Sequence, residues 1–194
     1  MKYLIVGLGN PGSEYANTRH NVGFKVLDSM VEGKESAAFK TERLGDVAHL
    51  RVKNKMLTLL KPSTYMNLSG RAVAYWMQKE NIPIENILVV VDDIAFDFGV
   101  LRMRSKGSDG GHNGLKNICE VLGGQNYARL RVGVGGEFSR GQQIDYVLGE
   151  WNEEERAKLP EVLKESVTGI ENFVLLGTER AMNIVNTRKG TSKN

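Results

Sequence analysis

The chain has 194 residues, 41% of them hydrophobic, and carries a formal net charge of +3. This length and apolar content favour one domain with a substantial core, and the lack of an apolar run of about 18 residues excludes a membrane-spanning helix. A single cysteine, Cys119, excludes an internal disulfide, and the N-terminus enters a strand pattern directly instead of a signal peptide, so we predict a cytoplasmic protein.

Strand and helix patterns alternate along the chain. The predicted elements are a strand at 2–8, a helix at 20–32, extended runs at 46–52 and 55–61, a helix at 64–80, strands at 87–91 and 100–105, a helix at 115–122, a strand at 129–134 and helices within 152–187. Asn54 marks a hairpin turn, and Gly177 separates the last two helices. The continuous apolar run 87–91 is typical of a strand that is buried on both faces.

These elements predict an α/β fold. We expect a single three-layer α/β/α domain over 1–187, with a mixed, mostly parallel central sheet. The residues 188–194 are polar and are predicted to form a flexible tail.

A glycine-rich turn follows the first strand. Residues 7–12 read Gly-Leu-Gly-Asn-Pro-Gly, which matches the dinucleotide-binding pattern. Pro11 removes a backbone N–H from the loop that would have to bind a pyrophosphate, and no apolar helical stripe begins directly after Gly12. The acidic residue that this pattern requires at the end of a second strand is absent, because Asp28 lies in a helical pattern. A nicotinamide-dependent oxidoreductase therefore stays a weaker alternative.

His20 follows this turn at the predicted start of a helix. A helix N-terminus disfavours the imidazolium form, so we predict a neutral ring that accepts a proton near neutral pH. A carboxylate on the other ring nitrogen would fix the tautomer, and Asp92 and Asp93 at the end of a buried strand are the candidates. Their side chains point to opposite faces of the sheet, and the pattern does not choose between them.

Three asparagines stand where a site needs neutral hydrogen-bond donors, namely Asn10, Asn67 and Asn113. An asparagine amide orients water or a carbonyl group without carrying a charge. Of the other two histidines, His49 is assigned a structural or surface role, and His112, in a glycine-rich segment, is assigned a hydrogen bond within its loop. No spacing typical of metal ligands is present in the sequence, so we predict no metal site.

Basic residues are concentrated between Arg102 and Arg140. This segment contains seven basic and three acidic residues, a net charge of +4, whereas the rest of the chain sums to −1. A basic region on an otherwise balanced protein favours a polyanionic partner, above all nucleic acid.

Six segments of the sequence together resemble the bacterial peptidyl-tRNA hydrolase family, in the family's order and over residues 1 to about 187. The segments are 7–12, 18–23, 61–70, 92–93, 110–115 and 129–135. The resemblance implies hydrolysis of the ester that joins a peptide to the 3′ ribose of tRNA, which frees the tRNA for recycling. It also implies a monomer that binds tRNA and needs no cofactor.

The resemblance assigns roles to particular positions. It implies that His20 is the proton acceptor, that Asp92 stabilises its working form, and that Asn10 helps to distinguish N-blocked from free aminoacyl groups. The side chains that it places around the substrate and the tRNA 3′ end are Tyr15, Tyr65, Asn67 and Asn113. Arg104 and Arg131 match positions that hold tRNA phosphate, although the family commonly has lysine at the first of them. An RNA-binding module without turnover is the second alternative.

Overall fold

A seven-stranded sheet lies between two layers of helices in residues 1–187, which the computed structural model describes. The strands are β1 (Lys2–Gly7), β2 (Lys40–Glu42), β3 (Gly45–Val52), β4 (Lys55–Pro62), β5 (Ile87–Asp93), β6 (Leu101–Arg104) and β7 (Ala128–Gly133). The α-helices are α1 (Val22–Val31), α2 (Ser69–Lys79), α3 (Asn113–Leu122), α4 (Gln143–Val147), α5 (Glu153–Leu176) and α6 (Thr178–Thr187). The predicted tail at 188–194 lies outside the described residues.

The sheet is mixed, as predicted. Its order is β2-β3-β4-β1-β5-β7-β6, and the four neighbours β4, β1, β5 and β7 are parallel to one another. Both edges are antiparallel, with the β2–β3 and β3–β4 pairs on one side and the β6–β7 pair on the other. The predicted hairpin between β3 and β4 is confirmed, and Lys53 adopts a positive φ of 52° in its turn.

Successive side chains of the central strands point to opposite faces of the sheet, so each face packs against its own layer of helices. Ile5 and Val90 belong to the core that the sheet forms with α1, α5 and α6. Val6 and Val89 belong to the opposite core, formed with α2 and α3. Burial on both faces is what a continuous apolar run such as that of β5 indicates, since neither face of the strand needs polar residues.

Several boundaries differ from the prediction. The second helix begins at Ser69 rather than at residue 64, because Tyr65 is extended and Met66–Leu68 form a 3-10 turn. The first begins at Val22, after a 3-10 turn over Arg19–Asn21. The short elements β2 and α4 were not predicted, since three and five residues carry too little periodicity. None of the described helices is long and apolar enough to cross a membrane.

The glycine turn serves packing of α1 against the sheet. A Cβ on Gly7 would lie 2.3 Å from the carbonyl oxygen of Gly23, and a Cβ on Gly23 would lie 2.5 Å from the backbone nitrogen of Leu8. These are contacts between backbone segments, which cannot move aside as a flexible side chain does. The match to a dinucleotide-binding turn therefore reflects the close approach of a helix to a strand.

Replacing Gly23 with alanine is expected to lower the free energy of unfolding by about 1–3 kcal/mol, the usual range for overpacking. Urea denaturation followed by circular dichroism measures the change. Gly124→Ala is the matched control, since a Cβ at Gly124 would meet no atom of the described residues within 4 Å. Equal stabilities of the two variants would contradict this account of the turn.

Candidate active site

A cleft of about 290 Å³ opens at the carboxyl ends of the parallel strands. Seven of the nine predicted site residues line it, namely Asn10, His20, Tyr65, Asn67, Asp92, Asn113 and Arg131. A larger groove of about 890 Å³ on the other side of α4 contains none of the nine. The cleft is therefore the place where the predicted chemistry comes together.

The other two predicted residues lie away from the lining of this cleft. Tyr15 ends a 3-10 turn over Ser13–Tyr15, and its carbonyl oxygen accepts a hydrogen bond from the Thr18 hydroxyl. Arg104 is exposed at the end of β6, where its guanidinium donates to the carbonyl of Met103. Their roles at the substrate stay predictions.

His20 and Asp92 are in direct contact. The Nδ1 atom of His20 lies 2.8 Å from Oδ2 and 2.9 Å from Oδ1 of Asp92. Since the carboxylate only accepts, Nδ1 carries the proton, and Nε2 is left with no hydrogen-bond partner within residues 1–187. The neighbouring Asp93 pairs instead with Arg131, at 3.3 Å. The geometry thus gives the histidine contact to Asp92.

A second imidazole holds the same carboxylate. The Nε2 atom of His112 lies 2.8 Å from Oδ1 of Asp92. Its Nδ1 atom accepts hydrogen bonds from the backbone N–H groups of Gly114 and Leu115, at 3.1 and 3.4 Å, and so caps α3. A ring that accepts at Nδ1 carries its proton at Nε2, and His112 therefore donates to Asp92.

The sequence prediction missed this role of His112. The signal was its place directly before a helix, because a side chain that accepts a bond from the first backbone N–H groups is favoured there. Capping in turn fixes the ring's tautomer and aims the other nitrogen at Asp92. The structural role assigned to His112 and its contact with the site are thus two consequences of one position.

Asp92 controls the protonation of His20. Burial of the ring by itself lowers the pKa of His20, but the attraction of the Asp92 carboxylate and their hydrogen bond outweigh it, so the pKa is raised above its ordinary value. This direction is opposite to the one that a helix N-terminus alone would give, because α1 begins only at Val22 and the nearer group is a carboxylate.

Asp92 itself stays ionised. It is 4% exposed, and such burial by itself would raise the pKa of its carboxyl. Electrostatic attraction and hydrogen bonds from His112 and His20 outweigh burial and hold that pKa well below the usual range. The site therefore contains a fixed negative charge beside the ring of His20, which is the best candidate for the base.

Asn10 is held in one orientation. Its Oδ1 atom accepts the backbone N–H of Met66 at 2.9 Å. The Asn21 side chain, which is 1% exposed, exchanges two hydrogen bonds with the backbone of Asn10, at 2.8 and 2.9 Å. The Nδ2 group of Asn10 has no partner in the described part of the chain, so it is the donor that Asn10 offers to a ligand.

The cluster of His20, Asp92 and His112 could also be considered as a metal site. The three candidate ligand atoms lie within 4.8 Å of one another. Both ring nitrogens that face the carboxylate carry protons, however, and His112 uses its other nitrogen to cap α3. A metal ion would need an unprotonated Nε2 on the His112 ring. The arrangement therefore fits a hydrogen-bonded triad better than a metal-binding site.

The basic segment is not one uniform surface. Arg129 is fully buried, and its guanidinium donates to the carbonyl groups of Gly107 and Ser108. Arg131 donates to the carbonyl of Ser108 as well, at 2.7 Å. Counting basic residues overstated the charge available to a polyanion, because Arg129 is committed to holding the loop before α3.

Known proteins are similar to this chain over almost all of its length. A family model described as Peptidyl-tRNA hydrolase matches residues 4–193. Peptidyl-tRNA hydrolases of Porphyromonas gingivalis and Cytophaga hutchinsonii are 59% and 56% identical over 186 and 189 residues, covering 96% and 97% of this chain and 100% of each relative. The crystal structure of the peptidyl-tRNA hydrolase from Acinetobacter baumannii has a TM-score of 0.89 at 35% identity, covering 96% of this chain and 95% of that one.

Proposed function

Since the chain belongs to the peptidyl-tRNA hydrolase family and hydrolyses the ester of peptidyl-tRNA, we propose that His20 is the base that activates the attacking water. The observation that carries the proposal is the contact between Nδ1 of His20 and the ionised Asp92, at 2.8 Å. It leaves Nε2 as the acceptor in a cleft that amide side chains also line. A general base placed in this way contributes typically about 10²–10⁴-fold to a rate.

The reaction follows from these positions. Nε2 of His20 takes a proton from water as the water oxygen bonds to the ester carbonyl carbon. Asp92 stabilises the imidazolium that forms, without taking the proton itself. The carbon–oxygen bond to the 3′ ribose then breaks, and the imidazolium proton is available to the leaving oxygen. Asparagine amides in the cleft are the neutral donors for the developing oxyanion.

Asn10 accounts for selection of N-blocked substrates. Its free Nδ2 group is a donor, so it suits a carbonyl oxygen such as that of the peptide bond preceding the esterified residue. A free aminoacyl ester offers an ammonium group instead, which donates and carries a positive charge. The site therefore favours a blocked ester by a hydrogen bond that the free ester does not form.

The substrate carries tRNA, so the chain binds tRNA. We place the phosphate contacts on the exposed basic side chains Arg104, Lys106 and Lys116, and on Arg131, which lines the cleft while its guanidinium also pairs with Asp93 and the Ser108 carbonyl. Such contacts position the nucleic acid without reading its bases. A single-stranded 3′ end suits a cleft of this size, because it enters without opening a helix.

The proposal treats residues 1–187 as one catalytic domain that acts as a monomer in the cytoplasm. Its support is that side chains of the same chain, between Asn10 and Leu148, line the cleft. Translation supplies peptidyl-tRNA in that compartment.

Replacing Arg104 with glutamine is expected to raise KM for peptidyl-tRNA while kcat stays unchanged, because a phosphate contact acts on binding. The salt dependence of log KM should become shallower by about one unit of slope. Arg104→Lys keeps the charge and is the matched control. Equal salt slopes in the wild type and the glutamine variant would contradict the phosphate contact.

The proposed function is tested by comparing N-acetyl-aminoacyl-tRNA with the free aminoacyl-tRNA as substrates. The wild-type protein is expected to hydrolyse the blocked ester and to leave the free ester largely intact. Release of tRNA without preference between the two would contradict selection by Asn10. Binding of tRNA without any hydrolysis would instead favour an RNA-binding module.

A further inference from the structure

The helix α4 is a thin wall of the active-site cleft. Ile144, Val147 and Leu148, in and just after the helix, line the cleft, and Ile144 is 70% exposed. Tyr146 faces the larger groove of about 890 Å³ on the other side. The cleft and the groove leave α4 with little packing on either side. Because the helix has only five residues, its own backbone hydrogen bonds are not enough to hold it in position.

Arg19 contacts α4 from the side of the larger groove. Its Nη1 atom donates to the carbonyl oxygen of Tyr146 at 3.0 Å. The guanidinium carbon lies 4.2 Å from the centroid of the Tyr146 ring, a cation–π contact. The tyrosine hydroxyl in turn donates to the carbonyl of Val134, the residue directly after β7. Arg19 thus contacts both the backbone and the side chain of α4.

The other side of the same guanidinium is anchored to α5. Nη2 and Nε of Arg19 lie 2.8 and 3.3 Å from the two carboxylate oxygens of Glu155. Both residues are more than nine-tenths buried, at 9% and 7% exposure. Glu155 is itself fixed, because it forms the capping box of α5 with Asn152. A buried two-pronged pair of this kind has one defined geometry.

The backbone of the same residue joins this anchor to the base. The N–H of Arg19 donates to the carbonyl of Gly149 at 3.0 Å, and Thr18 forms a β-bridge with Glu150. His20 is the next residue along the chain. The segment that carries the base and the segment that follows α4 are therefore tied at one point.

On the basis of the proposed function, we propose that Arg19 is a positioning residue for this reaction. Its ion pair with Glu155 holds α4 at the distance from His20 at which the apolar side chains of α4 contact the acyl part of the substrate. The guanidinium makes its contacts with α4 and α5, and Asp92 is the partner of His20. Loss of Arg19 should therefore weaken substrate binding and leave the titration of the base unchanged.

The test compares Arg19→Gln with the wild type in steady-state hydrolysis of N-acetyl-aminoacyl-tRNA and in amide hydrogen exchange of the free protein. We expect KM to rise about tenfold, kcat to change by less than about threefold, and the pH midpoint of kcat/KM to stay in place. The amides of Leu148 and Gly149 should exchange faster, because α4 opens more often. Arg19→Lys keeps the charge for Glu155 and should recover part of the KM.

Two further variants complete the design. Arg156→Gln is the matched control, since it removes the same charge from an exposed pair with Glu150, at 3.8 Å, and should change neither KM nor exchange. Glu155→Gln keeps a side chain that serves in a capping box and removes the partner of Arg19, so it should reproduce the rise in KM if Arg19→Gln does not fold.

Unchanged KM in both folded variants, or faster exchange in α4 with unchanged KM, would overturn the proposal. A shift of the pH midpoint would overturn it too, because Arg19 would then act on His20. Exchange is measured without substrate, so it reports on α4 even if the wild type hydrolyses nothing. A wild-type protein that hydrolyses nothing would contradict the proposed function rather than the role of Arg19.

Discussion

Replacing His20 with alanine is expected to lower kcat for N-acetyl-aminoacyl-tRNA by about 10²–10⁴-fold, the usual contribution of a general base. KM should change little, because the amides and basic side chains that hold the substrate stay in place. Single-turnover hydrolysis with enzyme in excess measures the chemical step directly, without interference from product release. Residual hydrolysis would then come from water that the remaining donors orient.

The matched control for this variant is His49→Ala. His49 lies on β3 with its side chain 57% exposed, where it contacts Glu80 at 3.2 Å. Its loss should leave kcat unchanged. A His20→Ala variant with the kcat of the wild type would show that another group takes the proton, and the account of the cleft would be wrong.

Replacing Asp92 with asparagine is expected to lower kcat by a similar factor, about 10²–10⁴-fold, although the substitution changes hardly any volume. The reason lies in His112. That ring must donate from Nε2, because its Nδ1 atom caps α3, so it will select the amide oxygen of the new side chain. The amide nitrogen then occupies the Oδ2 position, which is the closer of the two to Nδ1 of His20, at 2.8 against 2.9 Å, and donates to Nδ1. The His20 proton is thereby moved to Nε2, and the base is lost.

The variant should also change the pH dependence of the residual rate. The Asp92 carboxylate raises the pKa of His20, so hydrolysis in the wild type increases as pH rises through that raised value. Without the carboxylate the pKa falls, and any remaining rise should occur at lower pH. Asp93→Asn is the control, since it changes the neighbouring carboxylate, which pairs with Arg131. A midpoint that moves in Asp93→Asn and stays in Asp92→Asn would contradict the assignment.

Most of the fold could be predicted from the sequence, because the patterns of the central strands are unambiguous. The run over 87–91 is apolar at every position, and the glycine pattern ends the first strand. The choice between Asp92 and Asp93 needed one more fact. Residues two apart in a strand point to the same face, so Asp92 lies on the same face of β5 as Val90, which faces α1. Once the face covered by α1 is known, Asp92 is therefore the carboxylate that reaches His20.

Other features had no sequence signal of sufficient length. The helix α4 has five residues, and the wall that it forms depends on the distant Glu155. Arg129 looked like one more cation in a basic segment, whereas only the fold reveals that loop carbonyls surround it. Long-range contacts of this kind are set by tertiary packing and leave no local periodicity.

The central claim is that the base is His20, with its proton at Nδ1 on Asp92 and its Nε2 atom free. NMR titration of the His20 ring in ¹⁵N-labelled protein, set beside the pH dependence of single-turnover hydrolysis, tests it most directly. The account predicts a neutral ring protonated at Nδ1, and one pKa, raised above the ordinary histidine value, in both experiments. A neutral ring protonated at Nε2, or a kinetic pKa that differs from the His20 titration, would contradict it.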